Sequence, residues 1–291
     1  KKVLTAEDHH QRDYYEALQQ TFKILINSFY GYLGTRFHHF ADSQLAGEVT
    51  RLGREIIEQM VKWLRKEGGE PIEIDTDGIY FVPPPAARTD EEARSLIQRL
   101  SDSLPPGIEV ELAGRYEAMF SYKKKNYALL DEEGKVTIKG SGLRSRGMEK
   151  YLREFLSNMI KLLLQGKEEE IHTLFTDCLQ RLEQHKMGIS WLAKTETLSE
   201  SLETYKEKVE AKKRNPAATY ELALASGRPY RAGDQVSYYV TGKAKTVRVY
   251  ENSKLTSDYD PNHPDENVAY YAEKLHSLLK KFQEFLPGKL F

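Results

Sequence analysis

The stretch Pro71-Ile-Glu-Ile-Asp-Thr-Asp-Gly-Ile-Tyr-Phe-Val-Pro83 constrains the fold more than any other part of the chain. It reads as two short β-runs around Asp-Thr-Asp-Gly, and Asp-Gly favours the tight turns whose twist matches that of paired strands. Pro83-Pro84-Pro85 stops the second run, because proline has no N–H to give to a ladder. Helical patterns flank this hairpin. One spans about Ala6 to Tyr32 and ends at Gly31 and Gly34. A second runs from about Asp42 to Lys66, with Leu45, Val49, Leu52, Ile56, Met60 and Leu64 recurring every three or four residues before Gly68-Gly69 closes it. A third is expected over Asp90–Ser103.

Strands are expected at Ile108–Leu112, Tyr116–Tyr122, Asn126–Leu130 and Lys135–Lys139. From Glu149 the texture turns helical, over Tyr151–Gln165 and Lys167–His185. After the breakers Asn215, Pro216, Gly227, Pro229 and Gly233 come β-runs at Gln235–Thr241 and Lys245–Tyr250, then a last helix over about Asn267–Phe285. With 291 residues, two or three domains are expected, and the composition shift near Glu149 marks the clearest boundary.

Several classes are set aside by the totals. A hydrophobic fraction of 40% and a charged fraction of 30% are ordinary for a globular chain. No run reaches the roughly 20 apolar residues a bilayer span needs, so no membrane partner is expected. The lone Cys178 forms neither a disulfide nor a metal cluster, and reads as a small buried side chain of a protein in a reducing cytoplasm. The chain starts at Lys1 rather than Met and is expected to belong to a longer polypeptide. The net charge of −1 does not suit a simple nucleic-acid coat protein. Charge is uneven, however. Between Tyr122 and Lys150, eight basic residues (Lys123, Lys124, Lys125, Lys135, Lys139, Arg144, Arg146 and Lys150) face only Asp131, Glu132, Glu133 and Glu149.

Three constellations carry chemistry. In Lys23-Ile-Leu-Ile-Asn27-Ser-Phe-Tyr30-Gly31, Lys23, Asn27 and Tyr30 share one helical face at i, i+4 and i+7, while Phe22, Leu25, Ile26 and Phe29 are left to pack. An ammonium, an amide and a phenol in series suit a nucleoside triphosphate. From spacing alone, an amphipathic surface helix is the plainer account. In Asp75-Thr76-Asp77, two carboxylates at i and i+2 point the same way, where a cation relieves their repulsion; a solvated acidic turn is the plain alternative. In Lys123-Lys124-Lys125-Asn126-Tyr127-Ala128, with Lys139, Arg144 and Arg146 after it, lysines beside an aromatic suit a nucleic-acid backbone, and also suit an edge strand guarded against aggregation.

The order of the three resembles family B DNA polymerases. That family carries a Lys-x-x-x-Asn-Ser-x-Tyr-Gly fingers helix, then an Asp-Thr-Asp palm hairpin, then a Lys-Lys-x-Tyr segment. Lys23–Gly31 matches the first and Lys124–Tyr127 the third. Gly34, Phe40-Ala41-Asp42, Gly233–Val240 and Tyr270-Tyr271 extend the likeness over nearly the whole chain. Two departures stand out. Glu73-Ile74 replaces the family's Tyr-Gly before the aspartates, and Gly78 replaces the Ser after them. The family's first palm motif, Asp-x-x-Ser-Leu-Tyr-Pro-Ser, has no match here, nor do the exonuclease domain and the first fingers helix.

The resemblance implies an α+β fold: an antiparallel palm sheet with packed helices, plus a fingers helix (1–33), a palm (34–148) and a mostly helical thumb (149–291). It implies template-directed attack of a primer 3′-hydroxyl on the α-phosphorus of a deoxynucleoside triphosphate, with pyrophosphate leaving and two Mg²⁺ ions stabilising the attacking and leaving oxygens. It casts Asp77 as a metal ligand and Asp75 as a supporting carboxylate. Lys23 and Asn27 would bind triphosphate, and Tyr30 would pack under the nascent pair. Lys124, Lys125, Tyr127, Lys139, Arg144 and Arg146 would hold DNA. The partners are primer–template DNA, deoxynucleoside triphosphates and the missing N-terminal part of the polymerase, in the cytoplasm or at a nucleoid. The isolated chain is expected to be inactive. A non-catalytic DNA-binding or assembly subunit of the same shape is the rival reading; the Lys23–Gly31 helix argues against a reverse transcriptase.

Overall fold

The computed structural model describes residues 9–76, 78–144 and 147–286. The chain divides into two compact units, Lys1–Gly114 and Arg115–Phe291.

In the first unit, α1 (His9–Gly34) and α2 (Ser43–Lys66) form a helical hairpin. Asp42 caps α2 by accepting the Leu45 N–H at 2.8 Å, which places the helix start one residue after the expected one. α2 buries Met60 and Leu64 against Leu100 and Leu104, with Ile79 and Phe81 packed beside them. That core fixes β1 (Glu70–Asp75) and β2 (Gly78–Val82), an antiparallel pair in the register Asp75 to Gly78 and Glu73 to Tyr80. Helix α3 (Asp90–Asp102) begins with a reciprocal cap, in which Thr89 accepts from the Glu92 N–H and Glu92 accepts from that of Thr89.

The expected strand at Ile108–Leu112 is not formed. Val110 packs instead on the Met60–Leu64 cluster, and its N–H donates to Ser101 Oγ at 3.1 Å. With its backbone committed to a side chain, the segment builds no ladder.

The second unit opens with a three-stranded antiparallel sheet of β3 (Ala118–Lys123), β4 (Asn126–Leu130) and β5 (Val136–Lys139). Then come α4 (Lys150–Leu164), α5 (Glu170–Glu183) and the short α6 (Ile189–Leu192). A second three-stranded sheet has β7 (Gln235–Val240) between β6 (Lys194–Thr197) and β8 (Ser253–Leu255). Helices α7 (Leu202–Glu210) and α8 (Ala218–Ala225) lie between β6 and β7 in sequence, and α9 (Val268–Lys281) follows β8. Among the described residues this makes nine α-helices and three small antiparallel sheets, the α+β class the sequence implies.

One apolar core joins β4 to α4, α5 and α9 through Ala128, Leu130, Phe155, Met159, Ile171 and Leu275. Complete burial of side chains such as Met159 and Ile160 contributes about 1.5–3 kcal/mol each. Packing therefore groups β3–β5 with the helices after Glu149, rather than with the segment before Gly114. A tyrosine relay fastens the elements: Tyr151 Oη donates to the Tyr271 carbonyl at 2.8 Å, and Tyr271 Oη accepts the Val240 N–H at 2.8 Å. Cys178 lies in this core, where burial pushes its thiol up to about 11, which suits a packing role over a nucleophilic one.

The expected strand at Lys245–Tyr250 is likewise replaced. Strand β7 already pairs on both sides, with β8 taking the second edge eight residues later than the apolar run begins. Val247 and Val249 pack on the core from a loop, held by Asn267 Nδ2, which donates to the carbonyls of Thr241 and Ala244. No described helix is long and apolar enough to cross a membrane.

Candidate nucleotide and nucleic-acid interface

The site residues expected from sequence fall on three features, two in the first unit and one in the second. On α1, Lys23, Asn27 and Tyr30 all lie exposed on one helical face, as their spacing requires. Their apolar neighbours do not pack as expected: Phe22, Leu25, Ile26 and Phe29 are 53–66% exposed. The helix is anchored at its C-terminal end instead, where Leu33 is buried, its carbonyl accepts the Asp42 N–H, and Tyr32 stacks on His38 at 4.3 Å.

At the hairpin, Asp75 ends β1 and pairs in register with Gly78. Thr76 adopts φ 56°, the left-handed region, and its hydroxyl lies 3.4 Å from Asp75 Oδ1. A β-branched residue is strained there, and such strain of about 1–3 kcal/mol is found mostly at functional sites. Glu73 and Asp75 share the half-buried face of β1, while Ile72 and Ile74 are exposed on the other. Asp77 lies outside the described residues. Carboxylate oxygens are the donors that Mg²⁺ takes, and one or two suffice where substrate phosphates and water complete the shell, so the donor chemistry of this hairpin fits that ion. Among the described residues no cluster of three or more His, Cys, Asp or Glu forms a metal cage.

In the second unit the basic turn is tightly built. Lys123, Lys124 and Lys125 are exposed at the β3–β4 turn, where Lys125 has φ 62°. Lys123 Nζ lies 5.0 Å above the Tyr122 ring, which itself stacks on Phe282 at 4.7 Å. Tyr127 is only 2% exposed, so its ring is part of the wall from which the lysines project. Lys139 is its register partner on β5 and is exposed.

Immediately beyond, Gly140 and Gly142 fold against the turn. Gly140 has φ 91°, and a Cβ there would fall inside the Lys125 carbonyl and 2.8 Å from the Asn126 Cα. Asn126 Oδ1 accepts the Gly142 N–H at 2.6 Å, and Asn126 Nδ2 donates to the Lys124 carbonyl at 3.0 Å. The Arg144 N–H returns to the Gly140 carbonyl, and the Arg144 side chain is exposed. Lys124, Lys125, Lys139 and Arg144 are thus brought to one strand end, while Arg146 lies outside the described residues. The role of Asn126 is missed by reading the segment for charge; its signal is the Gly-x-Gly that follows Lys139.

The first unit thus carries a lysine-bearing helix and an acidic hairpin, and the second unit a basic strand turn, within an α+β fold. The chain belongs to DNA polymerase family B, whose family model matches residues 1–285. It is 28% identical over 277 residues to the DNA polymerase of Thermococcus sp. (strain 9oN-7), covering 94% of this chain and 35% of that protein. It is 28% identical over 291 residues to that of Pyrococcus glycovorans, covering 98% and 37%. The family B DNA polymerase structure from Pyrobaculum calidifontis superposes with a TM-score of 0.72 at 23% identity, covering 98% of this chain and 36% of that one. The chain spans about a third of the length of these relatives.

Proposed function

We propose that this chain supplies the fingers helix, part of the palm and the thumb of a DNA-directed DNA polymerase acting in the cytoplasm or at a nucleoid. The observation that carries the reading is the family match over residues 1–285 together with the order of its three constellations along the chain.

In this reading Lys23 neutralises charge on the incoming triphosphate, Asn27 hydrogen-bonds to it, and Tyr30 lies flat under the nascent base pair. The open face of α1 supports these roles. Asp77 and Asp75 would hold Mg²⁺, which when bound stabilises the attacking and leaving oxygens. Thr76, at φ 56°, separates the two carboxylates. Lys124, Lys125, Lys139, Arg144 and Arg146 hold the primer backbone, and the buried Tyr127 fixes the strand that presents them. The division into fingers helix 1–33, palm 34–148 and thumb 149–291 describes these roles; the packing units are cut differently.

The first palm carboxylate is assigned to a polymerase segment outside these 291 residues, in the same polypeptide or a separate subunit. The exposed Phe22, Leu25, Ile26 and Phe29 support a covering segment of that kind. A non-catalytic DNA-binding or assembly subunit is the competing reading, and the extra carboxylate Glu73 beside Asp75 favours it. Primer extension separates the two. The isolated chain with Mg²⁺ and nucleotides gives none, and the intact parent polypeptide extends. Extension by the isolated chain removes the assignment of the missing carboxylate; an inert parent selects the non-catalytic reading.

A further inference from the structure

A cavity of about 290 Å³ in the second unit involves none of the residues given a polymerase role above. That volume is at the lower end of the range for small-molecule pockets. Its walls include Tyr238, Tyr250 and Tyr270, with Val240, Val249 and Pro216. Aromatic walls of this kind accept a planar ring. Burial, with Glu196 beside Tyr238 and Glu149 beside Tyr270, raises both phenols, so these two rings are neutral.

Glu149, Glu196 and Lys194 supply charge to the lining. Glu149 is 3% exposed; Lys274 pairs with its Oε1, whereas Oε2 is buried and has no hydrogen-bond partner among the described residues. A buried carboxylate oxygen left unpaired is costly, so the cavity calls for an N–H or O–H donor. The Thr219 hydroxyl donates to Glu196 Oε2, which leaves that carboxylate with further lone pairs. Charge sets the next limit. Lys274 offsets Glu149, and Lys194 Nζ lies 3.8 Å from Glu196, so two ammonium groups already meet two carboxylates. Lys274 Nζ also lies 5.2 Å from the centroid of the Tyr270 ring, the position that an organic cation would take. The ligand that fits is a neutral planar ring.

Two carboxylates and one lining ammonium ask such a ring for two donors and one acceptor. Guanine has that set on one edge, with N1–H and the N2 amine as donors and O6 as acceptor. Adenine, cytosine and uracil each offer a single donor group on theirs.

We propose that this cavity binds an unpaired guanine base, its donors toward Glu149 and Glu196 and its O6 toward Lys194. The site needs none of the polymerase roles, so its failure leaves them standing.

The test is calorimetric titration of the 291-residue chain with guanosine, inosine, adenosine and uridine. Guanosine should bind at one site. Inosine lacks the N2 amine and should bind about tenfold more weakly, and adenosine and uridine should not bind at the same concentrations. Glu196→Gln, at an exposed carboxylate, should weaken guanosine about tenfold, and Glu149→Gln likewise, whereas Glu133→Gln in the β4–β5 turn should not. Should Glu149→Gln melt early, Glu196→Gln carries the comparison. No nucleoside binding, which leaves water alone in the cavity, overturns the site. So do equal affinities for the four nucleosides, or unchanged guanosine affinity in Glu196→Gln. Competition then separates a base in a strand from a free compound. Displacement of guanosine by oligothymidylate carrying one guanine, and not by oligothymidylate alone, assigns the site to a base in a strand. Displacement by neither assigns it to free guanine compounds, and both outcomes keep the guanine pocket. Equal displacement by the two strands overturns it.

Discussion

Asn126 and Gly142 are joined by a hydrogen bond of 2.6 Å from the glycine N–H to the asparagine side-chain oxygen, which closes the segment after β5 onto the basic β3–β4 turn. Charge is thereby presented from a fixed surface. Lys124 and Lys125 immediately precede the asparagine, and Lys139 precedes the glycines that make the approach possible.

Gly140→Ala should therefore cost stability and DNA affinity together. Its φ of 91° disfavours any L side chain, and the added Cβ would drive into the Lys125 and Asn126 backbone. A loss of about 2–4 kcal/mol is expected from strain plus displaced packing. Asn126→Ala, which removes hydrogen bonds without a clash, should cost about 1–2 kcal/mol. Thermal melts and duplex binding measured on both variants check the order; an unperturbed Gly140→Ala would mean the segment is not held against the turn.

Lys23→Ala should leave the melting temperature unchanged, because the side chain is exposed on α1. In the complete polymerase it should weaken nucleotide use by about 1.5–3 kcal/mol, the range for a hydrogen bond to a charged group. Nucleotide-concentration dependence of single-turnover incorporation reads this directly. Unchanged kinetics would return α1 to an ordinary amphipathic helix.

The end of the chain depends on a buried ion pair. Glu149, 3% exposed at the start of α4, is paired with Lys274 of α9, and its second oxygen has no protein partner among the described residues. Lys274→Ala would strand that carboxylate. Removal of one partner from a buried pair costs about 3–5 kcal/mol, and the partial exposure of Lys274 places this case near 3. Glu149→Gln should cost less, since it removes the charge as well as the pair. Equal melting temperatures for Lys274→Ala and wild type would show that the pair contributes nothing.

What was legible in the sequence follows from the range of the physics involved. Helices α1 and α2 and the β1–β2 hairpin are local: apolar spacing and Asp42 as cap specify the helices, and the hairpin turns within Asp-Thr-Asp-Gly, with Gly78 pairing to Asp75 as the first residue of β2. The strand Lys194-Thr-Glu-Thr197 has no apolar alternation and exists because β7 lies beside it, so no pattern announces it. The run Lys245–Tyr250 has strand-like residues but no free edge to join. Helices α7 and α8 are short, and the breakers around them hide their ends. Lys124 and Lys125 are visible as charge, yet the Asn126–Gly142 closure spans 16 residues and depends on β4 pairing with β5. The apolar face of α1 is exposed where its spacing predicts packing, because spacing reports periodicity and not what lies opposite.

The two hairpin aspartates provide the sharpest test of mechanism. Asn at either position keeps size and turn-forming ability and removes charge. Asp75 closes β1 opposite Gly78, with the Thr76 hydroxyl beside it, so Asp75→Asn preserves that local contact. Its charge acts on the site less directly, and measurable incorporation should remain in the complete polymerase. Asp77→Asn should nearly abolish incorporation, because the proposed reading gives that carboxylate the metals to hold together with a palm aspartate outside these 291 residues. Neither substitution should unfold the chain: relief of repulsion between neighbouring carboxylates costs the fold little, and the hairpin is held by the packing of Ile79 and Phe81 on Met60 and Leu64. Single-turnover incorporation by both variants, with melting temperatures alongside, gives the result. Full activity in Asp77→Asn would place the metal site elsewhere and make the non-catalytic subunit the better account.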